Sequence, residues 1–63
     1  MIRRITKAYV RYYSDNETMK IYVEWINHRG ESGRTEGDVG NLHMAALLQR
    51  AQQEDAPCTF EKW

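Results

Sequence analysis

The chain contains one cysteine, Cys58, so it cannot form an internal disulfide or a zinc site built of several thiolates. Domains of 63 residues are near the lower size limit for a self-sufficient apolar core, and this one must fold by packing alone in a reducing compartment. Net charge is missing as well, because nine Lys and Arg offset nine Asp and Glu. Without a long-range field the chain suits neither a DNA packager nor an acidic DNA mimic. No apolar stretch approaches the roughly 20 residues of a membrane span. The charged start Met1-Ile2-Arg3-Arg4-Ile5 is not followed by a signal-type apolar run. These absences predict one soluble, cytoplasmic domain over residues 1–63.

Catalytic patterns are equally scarce. No serine or cysteine is flanked by a plausible base, and Asp15, Glu17, Glu31, Glu36, Asp38, Glu54 and Asp55 fall in expected loops, at a sheet edge or on solvated surface. His28 and His43 are the only imidazoles and show no adjacent-ligand spacing with Cys58. They read as surface histidines, and Cys58 reads as a core thiol. The glycines between Gly30 and Gly40 lack a P-loop lysine and a preceding apolar strand, and turn geometry accounts for them. The expectation is a protein without catalytic residues, metal or cofactor.

What the chain does have is a strong period-two pattern. Ala8-Tyr9-Val10-Arg11-Tyr12-Tyr13 and Met19-Lys20-Ile21-Tyr22-Val23-Glu24-Trp25 alternate apolar and polar residues around the turn-forming Ser14-Asp15-Asn16-Glu17-Thr18. This predicts a β-hairpin. Ala8, Val10 and Tyr12 share one face with Met19, Ile21, Val23 and Trp25. Pairing Val10 with Ile21 sets Tyr9 against Tyr22 and Lys7 against Glu24 on the other face. Ile2 and Ile5 are out of phase, so either a bulge near Thr6 re-aims the chain or one isoleucine stays outside.

Asn27-His28-Arg29-Gly30 reads as a turn into a short, charged edge strand over Glu31 to Glu36. A helix capped by Asn41 or Asp38 follows, with Met44, Leu47, Leu48 and Ala51 forming its apolar stripe and Arg50, Gln49, Gln52, Gln53 and Glu54 its solvated side. Pro57 stops it. Cys58-Thr59-Phe60-Glu61-Lys62-Trp63 alternates again and forms a fourth strand, parallel to the first through a right-handed crossover. The expected fold is therefore α+β, in the order β-β-β-α-β, with a four-stranded sheet ordered 3-2-1-4 and one helix on one face.

The uncovered face collects Lys7, Tyr9, Arg11, Tyr13, Lys20 and Tyr22, with Ile26 and Trp63 beside them and Arg34 on the charged rim. Aromatics interleaved with cations can dock a protein partner, support self-association into a homodimer, or stack bases and neutralise phosphates. The β-propensity of tyrosine accounts for part of the same pattern. The charge balance ranks a protein contact above nucleic acid.

Tyr22-Val23-Glu24-Trp25, Gly33-Arg34-Thr35-Glu36-Gly37, Asn41-Leu42-His43-Met44-Ala45-Ala46-Leu47-Leu48-Gln49-Arg50-Ala51 and Phe60-Glu61-Lys62-Trp63 together resemble very small proteins of bacterial phages and mobile elements. The tyrosine-bearing meander followed by one helix is similar to some anti-CRISPR inhibitors. That resemblance implies a non-enzymatic role in a bacterial host cell, in which a host protein or defence ribonucleoprotein complex is bound through the sheet face.

Overall fold

The computed structural model describes residues 1–63. Strands β1 (Ile2–Tyr13), β2 (Thr18–Asn27) and β3 (Ser32–Asp38) form an antiparallel meander. Helix α1 (Leu42–Gln53) then returns the chain so that β4 (Cys58–Lys62) pairs parallel to β1. The sheet order is β3-β2-β1-β4, as the alternation and the crossover rule predict. The expected hairpin register also holds, with Val10 opposite Ile21, Tyr9 opposite Tyr22 and Lys7 opposite Glu24. No helix is long and apolar enough to cross a membrane.

Both isoleucines of the first segment turn inward. The β1–β2 register shifts between Ile2 and Arg4 and again between Ile5 and Lys7. Each shift absorbs one extra residue, so the three-residue intervals Ile2 to Ile5 and Ile5 to Ala8 stay on one face of a strand whose ordinary period is two. Thr6 repairs the ladder at the second bulge by donating its hydroxyl to the Glu24 carbonyl at 3.1 Å.

The core consists of Ile5, Ala8, Ile21, Val23, Met44, Leu47 and Ala51, with Ile2, Val10, Trp25, Leu48 and Ala56 packed against it. Asn41, rather than Asp38, caps the helix by accepting from the His43 and Met44 N–H groups at 2.9 and 3.2 Å. The third strand starts and ends later than expected, at Ser32 and Asp38, so it takes in Gly37 as well as Gly33. They are not turn residues, unlike Gly30, whose φ is 81°. A Cβ on Gly33 would lie 2.5 Å from the Trp25 ring, and one on Gly37 would lie 2.6 Å from Met44 Cγ. The bare backbone of β3 therefore gives the indole and the helix a surface to lie on.

Arg50 and Glu54 do not belong to a purely solvated helix side. β4 pairs with β1 only from Ala8 onward, which leaves the earlier part of that β1 edge without a strand. Arg50 donates to the Ile2 and Arg3 carbonyls at 3.2 and 2.9 Å, while Glu54 accepts from the Ile5 N–H at 2.9 Å and pairs with Arg50. The helix end thus satisfies backbone groups that a neighbouring strand would otherwise take.

The Ile5 N–H, and secondarily Arg50, hold the Glu54 carboxyl below the usual carboxylate range. A depressed folded-state pKa contributes stability above the unfolded pKa and loses it as pH falls through the folded value. Glu54→Gln is expected to lower stability at neutral pH and to flatten the acid limb of the stability profile below the ordinary glutamate range. Urea melts across an acid-to-neutral pH series check this; parallel profiles for the variant and the parent would refute it.

Candidate interaction surface

The helix packs on β2, β1 and β3, so the opposite sheet face is where side chains remain available. Lys7, Tyr9, Arg11 and Tyr13 project there from β1, and Lys20, Tyr22 and Glu24 from β2, because Ala8, Ile21 and Val23 point into the core. Arg34 and Glu36 of β3 stand opposite Glu24 and Tyr22, and Glu61 of β4 stands beside Arg11. All seven residues expected at the binding face therefore lie together, but they are not equally accessible.

Tyr9 and Tyr22 are buried, at 5% and 4% exposure, which corrects the expectation that they are free to contact a partner. Their rings stack on each other at 4.9 Å and 10° between planes. Long cationic side chains cover them: Lys7 Nζ lies 5.2 Å from the Tyr9 centroid, Arg11 lies 5.4 and 5.0 Å from Tyr9 and Tyr22, and Arg34 lies 5.4 Å from Tyr22. Arg34 also donates to the Tyr9 hydroxyl at 3.3 Å. The tyrosine pair is a second small core under a roof of methylene stems and cations.

Arg11 is the centre of the surface. Its guanidinium lies 4.1 Å from the Trp63 ring centroid, donates from Nε to Glu61 at 2.9 Å and from Nη1 to the Tyr13 hydroxyl at 3.3 Å. The Trp63 indole N–H donates to the same Glu61 oxygen at 3.2 Å. Backbone bonds at the strand ends place this ring: Trp63 N–H donates to Tyr12, and the Ser14 N–H donates to the Trp63 carbonyl at 2.9 Å. Trp63 remains 61% exposed.

The phenols of Tyr13 and Tyr22 are 2.7 Å apart. Tyr22, with Arg11 in support, lowers the ionisation of Tyr13 below the tyrosine range, whereas the hydrogen bond to Tyr13 and then burial raise that of Tyr22. Tyr13 accepts from Arg11, and either phenol can donate in the bond between Tyr13 and Tyr22. Glu61 is held low, chiefly by Arg11 and also by Trp63, so it stays ionised and keeps the guanidinium in place.

The residues considered for metal binding are dispersed. His28 lies in the turn after β2, His43 in the first turn of α1 and Cys58 at the start of β4, and no group of three potential ligands forms. Cys58 is exposed rather than a core thiol. The part of the surface least visible in the sequence is the Arg11, Glu61 and Trp63 cluster, which joins residues about fifty positions apart; the signal for it was the parallel pairing of β4 with β1. No protein-family model matches the chain, and no curated protein or solved structure is significantly similar to it.

Proposed function

We propose that this chain is a small, non-enzymatic interaction module that docks a protein partner on the sheet face centred on Arg11 and Trp63. The carrying observation is the exposed Trp63 ring beneath a guanidinium already fixed by Tyr13 and Glu61. Arginine and tryptophan dominate interface energies, and a side chain that is ordered before binding loses little rotamer entropy on docking. Lys7, Lys20 and Arg34 border this centre together with Glu24, Glu36, Asp38 and Glu61.

Arg4, opposite Ile26, shares this face, so with Arg11 its cations number five and its carboxylates four. A nearly balanced mosaic suits the mixed surface of a protein better than a row of phosphates. The stacked and buried Tyr9 and Tyr22 are poorly placed to act as base platforms, which weighs against the nucleic-acid alternative. The resemblance to anti-CRISPR inhibitors makes bacterial defence ribonucleoproteins the first partners to test, with inhibition as the result of occupying their surface.

The test is calorimetric titration of a panel of purified defence ribonucleoproteins with the parent protein, Trp63→Ala and Arg11→Ala, each variant first shown to be folded by circular dichroism. Loss of a central interface anchor is expected to weaken binding on the order of 30-fold. Parent-like affinity of both variants would remove this face. Binding to free single-stranded RNA or DNA that falls steeply with salt would instead support the nucleic-acid reading.

A further inference from the structure

The two edges of the sheet are guarded very differently. β3 carries Arg34, Glu36 and Asp38 between glycines, a composition that discourages pairing with another strand. β4 is short and has no glycine, and its two charged residues, Glu61 and Lys62, lie at its C-terminal end. Cys58 is exposed and Phe60 is 63% exposed, although both project toward the helix side beside Ala8 and Val10. The helix packs over the other three strands and leaves this corner open.

The backbone of β4 is also available. Ala8 N–H donates to the Pro57 carbonyl and Trp63 N–H to Tyr12, so Pro57, Thr59, Glu61 and Trp63 direct their backbone groups toward β1. Cys58, Phe60 and Lys62 consequently direct theirs to the free edge. The missing N–H of Pro57 costs that edge nothing, because it belongs to the inward set.

We propose that β4 is a self-association edge, on which a second copy of this chain pairs antiparallel about a two-fold axis through Phe60. The joined sheet then runs β3-β2-β1-β4-β4-β1-β2-β3. Phe60 stands opposite Phe60 of the second copy, Cys58 opposite Lys62, Thr59 opposite Glu61 and Pro57 opposite Trp63. The outward-facing residues meet one another as hydrogen-bonded pairs, the exposed aromatic is covered, and no like charges stand opposite each other.

Neighbouring registers are worse. Sliding one step toward the C-terminal end sets Glu61 against Glu61. Sliding one step the other way brings Trp63 opposite Asp55, whose φ of 58° is not strand geometry. Both copies keep their Arg11 and Trp63 surfaces on the same side of the joined sheet, since a two-fold axis normal to the sheet preserves its faces.

Sedimentation velocity of the parent protein from low to high micromolar concentration is expected to show the mass doubling. Phe60→Lys, which sets one introduced ammonium group of each copy opposite the other across the axis, is expected to weaken this on the order of tenfold or more while circular dichroism stays unchanged. Amide exchange on the parent should show the Cys58, Phe60 and Lys62 amides becoming protected as concentration rises, with β3 amides unaffected. A monomer at every concentration, a dimer undiminished by Phe60→Lys, or concentration-dependent protection at β3 instead of β4 would each overturn the proposal.

Discussion

Ile21→Ala is expected to lower the free energy of unfolding by about 2–5 kcal/mol. Ile21 is fully buried, pairs with Val10 on one side and stands opposite Gly37 on the other. Gly37 has no side chain to fill the cavity, and Met44 lies against it. A domain of this length typically has about 3–9 kcal/mol of stability in total. The variant should therefore be substantially unfolded near physiological temperature, as urea or thermal melts followed by circular dichroism would show. Phe60→Ala removes a larger side chain, yet it should change monomer stability by only about 0.5 kcal/mol or less, because that ring is mostly in water. Equal costs for the two variants would contradict the assigned core.

Gly33→Val is expected to destabilise by about 1–3 kcal/mol, although strand propensity alone predicts the opposite sign. The added Cβ would meet Trp25 Cζ2 and Cη2 at 2.5 and 2.6 Å. The ring cannot tilt away freely, since its Nε1–H donates to the Thr35 hydroxyl at 2.9 Å. Moving it breaks that bond as well as the packing. In a Trp25→Val background the clash is absent, so the same substitution should become neutral or stabilising. A double-mutant cycle of urea melts measures this coupling; additivity would mean that the close approach of indole to backbone has no energetic weight.

Alternation of residues made the strand faces, the hairpin register and the sheet order readable in advance, because a strand's period of two is a strict geometric constraint. The same rule states which way Tyr9 and Tyr22 point, but not what lies over them. Their burial depends on how Lys7, Arg11 and Arg34 fold back across the sheet, a choice made among many rotamers of long side chains. Cys58 reads as a core thiol in the sequence, yet it and Phe60 stand exposed on the helix side. A helix about 10 Å wide covers roughly two strands spaced about 4.8 Å apart, and here the outermost strand lies beyond it.

The edge contacts of Arg50 and Glu54 were hidden for a related reason. Helical periodicity put both on the polar side, whereas their partners are backbone groups of the bulged part of β1. Ile2, Ile5 and Ala8 carry the sign of those bulges as two intervals of three in a strand of period two. Gly37 resembles a turn residue in a sequence full of turn formers, and for it and the strand residue Gly33 only the neighbours in space reveal the role.

The two indoles of the chain stand on opposite sides of a single layer of backbone, Trp25 bonded to Thr35 among the core side chains and Trp63 beneath the Arg11 guanidinium. The molecule thereby carries two optical reporters, whose overlapping emission a Trp25→Phe and a Trp63→Phe variant would separate. Emission from Trp25 follows the integrity of the folded interior, while emission from Trp63 responds to whatever approaches the outward surface. Melting and docking can accordingly be followed without attaching a dye.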